Sequence, residues 1–207
     1  MATKYETQRQ AAERNRAAIL DAAHEVFAVS PVASMNEVAT RARVGAGTLY
    51  RHFPTREDLF GYLTHESFEQ VLVNAQAAES NGTTAADALR QFIEAAISQR
   101  NELVLPLHGG PAPTWERTRV VRERVHQVIQ QIIDRGRADG TITRDVTPRD
   151  IVVFGAMLAQ PRRQDPSWDA TCLRLLATYV AGLGCAVQRL PPSGHRGARG
   201  EPNGEIR

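Results

Sequence analysis

Val38-Ala-Thr-Arg-Ala-Arg-Val-Gly-Ala-Gly-Thr-Leu-Tyr-Arg-His-Phe-Pro-Thr-Arg-Glu-Asp-Leu-Phe60 is the stretch on which the reading of this chain turns. Just before it, Ser34-x-x-Glu37 has the spacing of a capping box and starts a short helix over Met35 to Ala42, with Val38, Ala39 and Ala42 inward. Arg43-Val44-Gly45 then makes a turn, and a second short helix over about Ala46 to His52 buries Leu49 and Phe53 before Pro54 stops it. Thr55-x-x-Asp58 caps the helix that follows. Two short helices around a tight turn, the second bearing Thr48, Tyr50, Arg51 and His52, predict a helix-turn-helix whose second helix enters the DNA major groove. The residue chemistry suits that task. Gly45 and Gly47 keep the entrance of the second helix small, so that backbone amides can approach phosphate. The hydroxyls of Thr48 and Tyr50 and the His52 imidazole suit phosphate contacts, Arg51 can donate a bidentate pair to guanine, and Arg56 is placed for the DNA backbone.

Working outward, nearly every apolar stretch repeats at three and four residues, which predicts an all-α fold. A first helix is expected from about Ala11 to Val29, burying Ile19, Ala22 or Ala23, Val26 and Phe27 and turning Arg14, Arg16 and Glu25 outward, until Ser30-Pro31 ends it. The fourth helix carries Leu59, Leu63, Phe68 and Val71 or Leu72 inward and ends near Asn81-Gly82. Further helices are expected from Thr84 to about Leu105, from about Thr114 to Ala138 with Gly140 as a left-handed cap, from Pro148 to about Gln160, and from about Trp168 to Val187. The last two are apolar on more than one side, which predicts burial within a subunit or across an interface. Four regions result: a flexible amino-terminal arm over 1–12, a three-helix helix-turn-helix DNA-binding domain over 13–56, a helical effector-binding and dimerisation domain over 57–188, and a disordered tail over 189–207.

Composition narrows the function classes. The net charge of +2 is nearly neutral, but residues 1–56 hold eight basic against five acidic side chains, so more than the whole surplus lies in the first quarter. No apolar run approaches a membrane span and no export signal precedes the first helix, which predicts a cytoplasmic protein. Cys172 and Cys185 are too few for a disulfide scaffold and are expected as reduced core thiols. The six histidines show no metal-ligand grouping, so neither a metal nor a cofactor is expected. The chain has no Gly-x-Ser-x-Gly elbow, and Gly45-x-Gly47 lacks both a third glycine and a preceding strand, so an enzyme is not expected.

Gly47-Thr48-Leu49-Tyr50 with His52-Phe53, at this distance from Val38-Ala39, resembles the amino-terminal signature of the tetracycline-repressor (TetR) family over about residues 15 to 72. The resemblance implies DNA contacts from Asn36, Thr48, Tyr50, Arg51, His52 and Arg56, and a homodimer built through the last two helices. It also implies a ligand-responsive repressor released from a palindromic operator by a small-molecule effector. Small residues Ala156, Ala159, Ala177, Ala181 and Gly184 fit close packing of those last helices. Phe92, His108, Trp115, Met157 and Trp168 are the candidates for an effector pocket. Two positions depart from the family pattern: Arg43 stands where glycine is usual, with a steric cost if the turn is left-handed, and Gly45 stands where a capping serine is frequent.

Overall fold

The computed structural model describes residues 4–30, 32–100, 102–103, 114–160, 165 and 167–184. Among them the chain forms eight helices and no strand: α1 Lys4–Val29, α2 Met35–Arg41, α3 Ala46–His52, α4 Arg56–Asn81, α5 Ala85–Ser98, α6 Glu116–Ala138, α7 Pro148–Leu158 and α8 Trp168–Leu183. Their starts are chemical. Ser34, Thr55 and Thr147 each close a full capping box, with Glu37, Asp58 and Asp150 respectively, and Thr84 accepts from the Asp87 amide. Each such cap satisfies helix donors that would otherwise have no partner and contributes about 1 kcal/mol. At the other end of α6, Gly140 takes φ +77, the left-handed conformation that stops a helix after its cap.

The helices enclose two cores. Ile19, Ala22, Ala23 and Phe27 of α1 meet Met35, Val38 and Ala39 of α2, Leu49 of α3, Phe53, and Leu59, Phe60 and Leu63 of α4. The second core draws on Val71, Leu72, Ala75 and Ala78 of α4, Leu89, Phe92, Ile93 and Ile97 of α5, Val121, Val125, Ile129, Ile132 and Ile133 of α6, Ile151 and Leu158 of α7, and Cys172, Leu176 and Leu183 of α8. The first two turns of α4 therefore belong to one core and its later turns to the other. Three glycines mark where helices come too close for a side chain. A Cβ on Gly61 would meet the Trp115 indole at 2.8 Å, one on Gly82 would meet the Ala88 Cβ at 2.5 Å, and one on Gly136 would meet the Ile142 Cγ1 at 2.6 Å. Cys172 is buried, its thiol 3.2 Å from the Leu158 carbonyl; Cys185 and the expected tail lie outside the described residues.

Three boundaries differ from the sequence expectation. Helix α1 begins at Lys4, so residues 4–12 of the expected arm are helical. Apolar periodicity does not report that segment because it is solvated; its support is good helix formers and the Arg9–Glu13 pair at 3.0 Å. Helix α5 ends at Ser98 rather than near Leu105, because the chain turns at Gln99 and the Arg100 side chain caps the Ile97 carbonyl. Helix α8 ends at Leu183, its cap at Gly184. Arg16 is also not a solvent-facing residue of α1: its guanidinium lies 4.3 Å from the centre of the Tyr62 ring and 5.3 Å from that of Phe53. A long cationic side chain can cover aromatic surface while keeping its charge, and spacing alone does not show this.

Candidate nucleic-acid interface

Helix α3 is fastened by one side chain. Leu49 is wholly buried, Phe53 at the cap is nearly so, and the remaining residues of α3 are exposed or half-buried. The capping box at Ser34 fixes the entry to α2, and the Val44 amide donates to the Ala39 carbonyl across the turn, holding α3 against α2. Arg41 is committed to an ion pair with Glu25 of α1. Arg43, at φ +56, is the one non-glycine residue with positive φ among the described residues, so the turn is left-handed and an arginine occupies the conformation that favours glycine.

The uncovered side of α3 presents Tyr50, 45% exposed, and Arg51, with Thr48 and His52 half-buried beside them. Asn36, in the first turn of α2, is exposed. Gly45 and Gly47 differ in kind from the glycines at the helix crossings. A Cβ on either would meet nothing within 4 Å, and neither has a positive φ, so no internal packing or backbone requirement calls for glycine there. Arg56 is turned into the domain: its guanidinium lies 4.9 Å from the centre of the Phe27 ring and 4.8 Å from that of Phe60, and it donates to the Ala33 carbonyl. It thus clamps the α1–α2 connection to α4.

The effector-pocket candidates occupy separate settings. Phe92 is buried in the second core. Trp115, at the cap of α6, rests on Gly61 and the His65 ring of α4, with the Arg117 guanidinium 4.1 Å from its ring centre. Next to it, the Thr118 hydroxyl lies 3.2 Å from His65 Nδ1. Trp168 is half-buried at the start of α8, its indole N–H donating to the Gln160 carbonyl. Met157 is 62% exposed, because α7 buries Ile151, Gly155, Ala156 and Leu158 and turns residue 157 outward. His108 lies outside the described residues. Periodicity does not single out the buried Arg100 and Thr118, since one polar residue at a core position looks like any other break in the pattern.

The outer side of the last two helices is mostly apolar, with Arg174 and Thr178 exposed among its aliphatic side chains. Met157 of α7 and Leu173, Leu175, Ala177 and Ala181 of α8 are exposed, while Phe154 and Tyr179 stack at 3.9 Å between the two helices. No group of three metal-ligating side chains occurs among the described residues, and none of the described helices is long and apolar enough to cross a membrane.

Residues 19–63 match the family model of bacterial regulatory proteins of the tetR family. The transcriptional repressor LfrR of Mycolicibacterium smegmatis is 34% identical over 87 residues, which is 42% of this chain and 46% of that protein. The chain thus spans less than half the length of that curated relative. Among solved structures, a tetR-family regulatory protein from Rhodococcus RHA1 superposes with a TM-score of 0.67 at 21% identity, covering 84% of this chain and 98% of that one. LfrR from Mycobacterium smegmatis, solved in complex with proflavine, superposes with a TM-score of 0.61 at 21% identity over 86% of this chain and 99% of its own. The curated relative is a transcriptional repressor, and the fold is shared with solved structures of tetR-family regulators.

Proposed function

We propose that this chain, a TetR-family transcriptional regulator by its amino-terminal domain and its fold, is a homodimeric repressor that a small molecule releases from a palindromic operator. The observation that carries the DNA reading is the contrast between its glycines. Gly61, Gly82 and Gly136 are required by neighbouring helices, whereas Gly45 and Gly47 are required by nothing inside the chain and flank the residues that α3 leaves uncovered. Small residues at a surface with no internal reason to be small suit the close approach of another molecule's backbone, and the uncovered donors suit a polyanion. Tyr50, Thr48, His52 and Asn36 serve phosphate, Arg51 reads a guanine edge, and Arg56 braces the domain from within.

The homodimer follows from the uncovered apolar side of α7 and α8, which a second copy covers by two-fold symmetry. Two copies of α3 then lie about 34 to 36 Å apart, one turn of duplex. LfrR is described with proflavine bound, and a bound small molecule in the helical domain is the corresponding event here. Helix α4, shared by both cores, carries the change to α3. Coupling of about 1 to 3 kcal/mol is typical of such linkage.

A gel-shift titration against duplex DNA from around the protein's own gene, with competitor and at two salt concentrations, tests the reading. A selective, salt-weakened shift that is lost in the Tyr50→Ala, Arg51→Ala double variant supports it. Failure to enrich any sequence from a random duplex library would sink it.

A further inference from the structure

Among the described residues one charged side chain is buried: Arg100, one residue past the cap of α5. Its guanidinium nitrogens have unequal fates. Nε donates to the Ile97 carbonyl at 2.8 Å, which seats the group over the end of α5. Nη1 lies 2.8 Å from Oδ1 of Asp169, in the first turn of α8. Nη2 is buried with no hydrogen-bond partner. The counter-charge is also lopsided, since the Arg100 side chain is 7% exposed and that of Asp169 is 76% exposed. A carboxylate held mostly by water compensates a buried cation poorly, and an orphaned N–H of a charged group is costly. A purely structural clamp from α5 to α8 needs Nε and Nη1 and leaves Nη2 unexplained. Nearby in sequence, Ile97 and Leu103 are buried in the second core, and Trp168, which precedes Asp169, is packed against that core. No carboxylate is buried among the described residues, so the one formal charge inside the helical domain is positive.

We propose that Arg100 anchors an anion site and that the effector is an apolar molecule bearing a carboxylate, which takes up Nη2 and displaces Asp169 from the guanidinium fork. The proposal builds on the ligand-responsive reading above and gives it a ligand class. A planar guanidinium with one unpartnered nitrogen and one weakly held partner can, once Asp169 leaves, offer Nη1 and Nη2 together to a bidentate carboxylate. The lopsided exposure makes the exchange cheap, because Asp169 returns to water that already surrounds it.

Calorimetric titration of the full chain with decanoate, decanol and decyltrimethylammonium, three probes with one tail and different heads, is the test. Decanoate is expected to bind saturably and at least about tenfold more tightly than either of the others. Arg100→Met, with folding checked by circular dichroism, is expected to remove that preference, and Arg100→Lys to keep part of it. Asp169→Asn removes the internal competitor and is expected to tighten decanoate binding severalfold, a change that a structural clamp would not produce. Equal or tighter binding of the cation, no saturable decanoate binding, or an Asp169→Asn protein with unchanged affinity overturns the proposal. Gel shifts with each probe separate the two levels. If decanoate binds through Arg100 and DNA affinity does not change, the anion site stands and the ligand-responsive reading fails. If the cation alone releases DNA, the reverse holds.

Discussion

Helices α3 and α8 each leave one side uncovered, and the two sides are chemical opposites. Helix α3 buries Leu49 and exposes Tyr50 and Arg51 next to glycines that nothing inside requires. Helix α8 buries Cys172, Leu176 and Leu183 and exposes Leu173, Leu175, Ala177 and Ala181, with Arg174 and Thr178 the polar residues among them. A polar, donor-rich side at rest in water is complete as a protomer and waits for an anion. An apolar side of this extent is incomplete as a protomer. The difference teaches that an uncovered face is informative only through what it exposes, and it assigns different partners to the two ends of one molecule.

The largest expected effect breaks the α8 half of that comparison. In the proposed dimer, Leu173→Glu places one unpaired charge from each copy in the interface and should raise the dissociation constant by about three orders of magnitude, since burying an unpaired charge costs several kcal/mol. Sedimentation measures it, and an unchanged dimer would move the interface elsewhere. Next, Tyr50→Ala with Arg51→Ala should weaken selective DNA binding by about two orders of magnitude while helicity and dimerisation persist.

Gly47→Ala sharpens the α3 half. Alanine in a helix is favoured over glycine by up to about 1 kcal/mol, so unfolding in urea should shift upward, whereas DNA affinity should fall about tenfold because the added methyl faces outward. A rise in both would show that the glycine does not serve close approach. Arg43→Gly should raise stability by about 1 kcal/mol in the same assay by relieving the left-handed backbone at φ +56.

The smallest effect is with pH. Burial lowers His24 below its ordinary value near 6.5, against the opposing pull of Glu66, Asp21 and Glu102. Burial also lowers His126; Glu123 opposes this, while Arg122 and Arg149 add to it. The unfolded chain therefore takes up protons on these rings at a higher pH than the folded chain does. Their contribution is full above about pH 7 and declines as pH falls below about 6.5. Urea midpoints between pH 7.5 and 5.5 should drop, and His24→Gln should flatten part of the slope; a midpoint that rises on acidification contradicts the assignment.

Helix starts were legible because Ser34, Thr55, Thr84 and Thr147 each bring their own lock, a local interaction that three or four residues encode. The burial of Leu49 was equally legible, since helical spacing leaves it one direction to face. Cationic side chains were not. Arg16 over Tyr62, Arg56 between Phe27 and Phe60, and the buried Arg100 all depend on residues distant in sequence, and composition treats an arginine as solvated. The amino-terminal reach of α1 was hidden for the complementary reason: a solvated helix has no apolar stripe to reveal it.

The sharing of α4 between two cores has a mechanical consequence. About 15 residues separate Leu63, in one core, from Ala78, in the other, roughly 22 Å of helix at about 1.5 Å per residue. Tilting such a rod by about 10° about one anchor moves the other by about 4 Å. In a two-fold dimer both arms swing, so the separation of the two α3 helices changes by up to about 8 Å, nearly a quarter of the roughly 34 Å helical repeat that they must match. On the proposed reading, a tilt of α4 no larger than a side chain's width at its far end is enough to misfit the double helix.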